Sequence, residues 1–405
     1  MIITKFHISN YRSLYDLKVK KLDSTTIFYG DNNAGKSNIL SALYTIFKRK
    51  KQITETAPSG ISAPQNFYQG VVEGFANNFF NNNFKDIKFL VQFSLESDEV
   101  DLPNTIREKV LKAKRDSHNN IEFDGVIKAS GSNKDLGEIF LNTVTLDDTV
   151  VYHYDKSKIF YFPTLEKEKQ GNLGEIFAKL IEPFNDCVSI IESTRDMHPT
   201  NFSVEPINEN EITPSNFKQF LYSLYLSEDN HKVFEEINNV FNKEPFRFGS
   251  ISFAHSNDKL EVMIKEDNVR LPIKHVGSGV LQTLYIVAKV IHNSSKIVCI
   301  EELEQNLAPK RQFLTLRKLQ SMLGDKSSSS LQQILISSHS SVYNKPKLGT
   351  VYFLGKDNNK TVIKDVKELK KHLIDSAPSP ETYTKKEWEE NMKEMYQLTE
   401  EGFRR

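Results

Sequence analysis

Eight residues narrow the possible folds of this chain more than any others: Gly30-Asp31-Asn32-Asn33-Ala34-Gly35-Lys36-Ser37 follow the spacing G-x-x-x-x-G-K-S. They stand between a short apolar run, Thr26-Ile27-Phe28-Tyr29, and the stretch SNILSALYTIF, in which Ile39, Leu40, Leu43, Ile46 and Phe47 recur at helical spacing. Strand, glycine turn and helix in that order make a phosphate cradle. The glycines let the backbone curl so that its N–H groups face phosphate oxygens, and the helix that starts there adds its positive dipole end. Lys36 then reaches the outer phosphates and Ser37 ligates Mg²⁺. The phosphate-binding set is Gly30, Asn32, Asn33, Ala34, Gly35, Lys36, Ser37 and Asn38. The competing reading, a glycine turn carrying a surface lysine, leaves the flanking strand and helix unexplained.

Three further segments add to this cradle. Lys296-Ile297-Val298-Cys299-Ile300-Glu301-Glu302 is an apolar strand that ends in two carboxylates. Phosphoryl transfer to water needs one carboxylate for the metal and a second to orient or deprotonate the water, so Glu301 is assigned to Mg²⁺ and Glu302 to catalysis. Taken alone, such a strand is equally a buried one running into a charged loop. Gly277-Ser278-Gly279 opens a helix just before it. A glycine-flanked serine at a helix N-terminus is a second anion site, and its simplest use is the γ-phosphate bound by a partner subunit. The alternative is a turn with a serine N-cap. Finally, Leu335-Ile336-Ser337-Ser338-His339 is a strand ending in a histidine that can sense the γ-phosphate, or stand as a plain polar surface residue.

The rest of the chain sets limits. Its 405 residues are enough for one large domain or two to three smaller ones, and Lys+Arg and Asp+Glu both number 53, so no overall field draws it to nucleic acid or an anionic membrane. No apolar run approaches the roughly 20 residues of a membrane span, and the first residues lack a signal-peptide core. The chain's two cysteines, Cys187 and Cys299, are too few for a disulfide framework or a zinc spacing. A reducing cytoplasm is the expected compartment.

Strand-like alternation begins at Ile2, Ile3, Phe6 and Ile8, and residues 52–84 read as loop. Alternating runs from Ile87 and near 121–128, 138–145 and 149–162 predict an antiparallel sheet. Residues 173–183 read as helix, CVSIIEST as a buried strand, 214–242 as a helical stretch, and FRFGSISFAHSNDKLEVMIKE as a hairpin. Strands and helices then alternate: helix 279–292, strand 296–300, helix 309–323, strands 333–337 and 350–354. No heptad pattern or repeat is present, which excludes long coiled-coil arms. The expectation is an α/β nucleotide-binding core built from N- and C-terminal segments, with an antiparallel β subdomain and an inserted helical lobe. The divisions fall at 1–195, 196–247, 248–355 and a charged helical tail, 356–405.

In this order the motifs resemble the ABC-type ATPases of the RecF, SMC and OLD (overcoming lysogenization defect) superfamily. FHISNYRSLYDLKV and FYGDNNAGKSNILSAL look like that group's first strand, P-loop and helix. LPIKHVGSGVLQTLYIVAKVI, KIVCIEELEQNLAP and ILISSHSSVY look most like the OLD-type branch, whose signature reads G-S-G and whose acidic strand ends in a Glu pair followed by Pro-Glu. Leu303 replaces the usual proline and Ala308 the histidine of a Leu-His-Pro ending. The glutamine loop has no clear match, and Arg195 falls where OLD-type ATPases often carry an arginine.

The resemblance implies ATP with Mg²⁺, hydrolysed by a head-to-tail homodimer or a higher oligomer of dimers, with Gly277, Ser278 and Gly279 acting in trans. It also implies a separate nuclease or toxin effector in bacterial antiphage defence, as in Septu or PARIS systems. The roughly fifty residues after Leu354 are too few for the Toprim nuclease domain of other OLD proteins, so no intrinsic nuclease is expected. In that tail Thr384 and Glu387 resemble a capping box, and Trp388, Met392, Met395 and Tyr396 share one helical face that either packs on its own domain or docks a partner. Two alternatives stay open: a RecF-like clamp on duplex DNA, with Lys48-Arg49-Lys50-Lys51 touching phosphates, and a structural protein that binds ATP without turnover.

Overall fold

A computed structural model describes residues 1–48, 71–73, 86–96, 118–129, 136–146, 149–155, 158–161, 182–193, 212–256, 259–266, 269–293, 295–324, 330–343 and 348–364. The chain divides into two compact units, Met1–Ser189 with Asn344–Arg405, and Ile190–Tyr343.

In the first unit, β1 (Ile2–Ser9), β2 (Leu17–Val19), β4 (Val71–Glu73), β5 (Ile87–Glu96), β6 (His118–Ala129), β7 (Leu136–Leu146), β8 (Thr149–Asp155) and β9 (Lys158–Tyr161) form one antiparallel sheet. Its order is β2-β1-β5-β6-β7-β8-β9, with β4 on β7. Period-2 alternation explains the sheet: Ile87, Phe89, Val91, Phe93 and Leu95 are buried while the residues between them are not. The run at 149–162 is two strands rather than one, and the stretch 52–84 is not all loop, since β4 lies within it.

Beside this sheet, β3 (Thr25–Gly30) pairs in parallel with β16 (Thr350–Asp357), which turns back into β17 (Lys360–Ile363). All six residues of β3 are buried, as parallel strands covered on both faces require. The β16–β17 hairpin escaped the sequence reading because its two-residue turn is Asn358-Asn359, without a glycine. Both asparagines have positive φ, 46° and 64°, which asparagine tolerates better than most residues. α1 (Lys36–Phe47) follows β3 and buries Ile39, Leu40, Leu43, Ile46 and Phe47. Phe47 closes the helix edge-on to Phe93 at 5.0 Å, within a cluster that also holds Phe123 and Phe184. Each such ring pair adds about 0.5–1.5 kcal/mol beyond area burial. This cluster ties the helix behind the glycine turn to the antiparallel sheet.

In the second unit, α2 (Phe217–Leu226) and α3 (His231–Asn242) replace the single helical stretch expected over 214–242. The break lies at Ser227–Asn230, where the Ser227 hydroxyl accepts from the Asn230 amide. A three-stranded antiparallel sheet follows: β11 (Ser250–Ser256), β12 (Lys259–Glu266) and β13 (Val269–Pro272), the last an addition to the expected hairpin. α4 (Ser278–His292) is apolar on nearly every side and correspondingly buried, with Lys289 and His292 in its last turn complementing the dipole. β14 (Ile297–Glu301) and β15 (Gln333–Ser338) pair in parallel, and α5 (Pro309–Ser321) starts with proline at a position where no N–H is needed. β10 (Val188–Ile191) spans the point at which the chain passes from the first unit to the second.

Several expectations lie outside the described residues: the helix at 173–181, Arg195, Arg49-Lys50-Lys51, and the tail with Thr384, Glu387, Trp388, Met392, Met395 and Tyr396. Residues 182–184 form a short 3₁₀ turn. No helix among the described residues is long and apolar enough to cross a membrane.

Candidate functional site

The glycine turn sits at the carboxyl end of β3, where parallel strands commonly open onto ligands. Its two fixed glycines are sterically required. A Cβ at Gly30 would collide with the backbone carbonyl of Leu354, and one at Gly35 with the Thr361 hydroxyl. Gly35 also has φ 91°, in the left-handed region that favours glycine, and Asn33 has φ 67°. Gly35 caps α1 without any side-chain hydrogen bond, and no acidic residue occupies the helix's first turn. The first amides of α1 are therefore not capped by a side chain.

Lys36 is 5% exposed, and its ammonium donates to the carbonyls of Gly30 at 2.9 Å and Asp31 at 2.7 Å. A buried cation satisfied by carbonyls of its own loop is poised to exchange them for anionic oxygens, which are stronger acceptors. Ser37 and Asn38 are half-buried on the first turn. The Asn38 amide donates to Ser13 Oγ at 2.8 Å, and Arg12 Nη1 donates to Asn38 Oδ1 at 3.3 Å. Ser13 and Thr361 complete the bracket: their hydroxyls lie 2.7 Å apart, and the Thr361 amide donates to Ser13 O at 2.9 Å. The sequence reading missed Arg12, Ser13 and Thr361 as neighbours of the turn, because 348 residues separate Ser13 from Thr361.

In the second unit the paired strands bring Glu301, Glu302 and His339 to one end. Glu301 stands opposite Ser337 in the β14–β15 register, and the Glu302 amide donates to Ser337 O at 2.9 Å. The Ser193 amide donates to Glu301 Oε2 at 3.4 Å. Glu302 has φ 44°, a left-handed conformation that costs a non-glycine residue on the order of 1 kcal/mol. The turn continues with Gln305 N donating to Glu302 O and Leu307 N to Glu304 O, both at 2.9 Å.

His339 is held by a residue that the sequence reading did not single out. Glu304 Oε1 accepts from the His339 amide at 2.7 Å and lies 3.0 Å from His339 Nδ1. Beside it, Ser340 Oγ donates to Gln312 Oε1, and Gln312 Nε2 donates to Leu307 O, each at 2.7 Å. Glu304 stands two positions after Glu302, at the Glu of the Pro-Glu ending in which Leu303 replaces the proline, but that pattern gave it no role and its burial is not visible in the sequence.

Gly277 and Ser278 are exposed at the start of α4. The N-cap is Gly277, with no side-chain capping bond, so the structure does not use Ser278 as a serine N-cap. A Cβ at Gly277 would meet nothing within 4 Å, whereas one at Gly279 would lie 2.7 Å from Asn306 O. Gly279 is thus packed against the turn that carries Glu302 and Glu304.

The AAA ATPase domain family matches residues 1–342. An ATP/GTP phosphatase of Helicobacter pylori (strain ATCC 700392 / 26695) is 21% identical over 354 residues, covering 84% of this chain and 85% of that protein. Two solved structures are each 12% identical, covering 90% of this chain and 98% of theirs: an SmcHead bound to the C-winged helix domain of ScpA, with a TM-score of 0.45, and the SMC head domain from Thermotoga maritima, with a TM-score of 0.42. With most of its length matched by one family, this chain belongs to the AAA ATPase domain family and is a P-loop ATPase.

Proposed function

We propose that the chain hydrolyses ATP in a head-to-tail dimer in which Gly277, Ser278 and Gly279 of one protomer face the nucleotide held by the P-loop of the other. The observation that carries this reading is Lys36, a buried ammonium resting on its own loop's carbonyls beside a helix start without a side-chain cap. Those residues fit a triphosphate. Lys36 and the turn amides bind the phosphates, Ser37 and Glu301 hold Mg²⁺, and Glu302 orients the attacking water. His339 is the γ-phosphate sensor. Bound Mg²⁺ supplies charge neutralisation across the phosphates. The exposed start of α4, free of any side-chain cap, suits an anion presented by a second chain.

The Helicobacter pylori relative, named an ATP/GTP phosphatase, supports triphosphate hydrolysis and makes GTP a second substrate to assay. The G-S-G signature and the Glu301-Glu302 pair favour an OLD-type ATPase that scaffolds or controls a separate nuclease or toxin in antiphage defence. The deciding experiment is ATP turnover with Mg²⁺ by the purified chain, followed by its size in solution with Glu302→Gln. A dimer that forms only with ATP supports the reading; a variant that stays monomeric with ATP bound contradicts the sandwich.

A further inference from the structure

Glu304 is 7% exposed, yet the described polar contacts of its carboxylate, a hydrogen bond from the backbone amide and a charge contact with the ring, both go to His339. Oε1 accepts from the backbone amide and faces Nδ1, while Oε2 is buried and finds no partner among the described residues. A carboxylate left half-satisfied in the interior is costly. A simple backbone cap at the end of β15 needs no charge and could be met by an exposed asparagine or serine.

We infer that Glu304 is a positioning residue that holds His339 with Nδ1 protonated, leaving Nε2 as the nitrogen available to the nucleotide. This rests on the proposed hydrolysis. The chemistry follows from the donor set. A carboxylate only accepts, so Nδ1, the ring nitrogen that faces it at 3.0 Å, is the one favoured to carry the proton, and the contact restricts the plane of the ring. The next residue is gripped from α5, because Gln312 accepts from Ser340 Oγ. Two consecutive residues after β15 are therefore anchored to the segment that follows β14. Glu302 lies on that segment too, so the carboxylate assigned to the water and the histidine assigned to the phosphate share one support. A chain without Glu304 keeps its P-loop intact but loses the orientation of His339.

The test uses the full chain with ¹⁵N-labelled histidine, the His339 signals being identified by their loss in His339→Gln. The wild-type protein should show Nδ1 as the protonated ring nitrogen; an Nε2–H tautomer overturns the inference without any change at Glu304. Glu304→Leu should lower kcat about tenfold or more, the size of effect that follows when the orienting partner of a metal-bound histidine is removed. KM for ATP should stay within about twofold, and the His339 tautomer preference should be lost. Glu304→Gln, which keeps an accepting oxygen of the same size, should recover part of kcat and supplies the variant if Glu304→Leu does not fold. An unchanged kcat in both variants overturns the positioning role alone. A wild-type chain that turns over no ATP instead overturns the function beneath it, and that result is read before any variant is made.

Discussion

The turn after β3 and the turn after β14 both follow buried parallel strands, but they are held by different means. Residues 30–37 are shaped by backbone: Gly30 and Gly35 have no room for a Cβ, and Lys36 bonds to carbonyls of its own loop. Residues 302–307 add distant side-chain contacts to their backbone turns, with Glu304 on His339 and Gln312 of α5 on both Leu307 O and Ser340. A backbone-built turn tolerates few residue types, so it writes a fixed local spacing into the sequence. Side-chain contacts spread over 35 and 28 residues leave no such spacing for the partners they join.

Disruption should be most severe at the backbone-built turn. Lys36→Ala should weaken ATP binding by about a hundredfold or more, as removal of charged hydrogen bonds to phosphate implies, and hydrolysis should fail with it. Calorimetry with ATP and Mg²⁺ checks this; unchanged affinity would erase the distinction between the two turns.

At the second turn, binding and turnover should separate. Glu302→Gln should keep ATP bound while slowing hydrolysis by on the order of a hundredfold. If Glu301→Gln blocks turnover instead and Glu302→Gln does not, the two carboxylates exchange roles. Glu302→Gly separates strain from chemistry, since glycine accepts φ 44° without the strain. It should be at least as stable as Glu302→Ala, by up to about 1 kcal/mol in denaturant titration, and equally inactive.

The bracket around the first turn should matter less than the turn itself. Thr361→Val removes the hydroxyl contact with Ser13, at a cost of about 1 kcal/mol and a few-fold in ATP affinity. A loss as large as that of Lys36→Ala would show that β17 shapes the cradle more than the glycines do.

The mildest change lies away from both turns. Burial raises the carboxyl of Asp124 above the ordinary range, so the folded chain holds that proton more tightly than the unfolded chain does. The ionised group is then destabilising at neutral pH, and the penalty disappears as pH falls through the folded-state value. Asp124→Asn should be slightly more stable at pH 7, by less than about 1 kcal/mol, with the difference shrinking on acidification and ATP turnover unaltered. Thermal melts across pH read this directly.

What could be read in advance follows the same division. The alternation of β5 and the helical spacing after Ser37 are local, and so were legible. The break between α2 and α3 depends on a turn at Ser227–Asn230 that apolar periodicity does not register. β17 was hidden by an Asn-Asn turn without glycine. Glu304 showed only as the Glu after Leu303 in the acidic strand's ending, without a role, because its burial is created by packing and not by its neighbours in sequence.

Two chains should share each ATP site, and mixing two inactive variants is the sharpest assay of that sharing. Ser278→Arg places bulk and charge at the exposed start of α4 and should leave the variant's own P-loop intact; Lys36→Ala should leave the variant's own signature intact. Each alone should be nearly inactive. Mixed in equal amounts, they should regain part of the wild-type rate, because one site of the mixed dimer then joins an intact P-loop to an intact signature. No recovery at any ratio or concentration, or full activity of Ser278→Arg alone, would contradict a shared site.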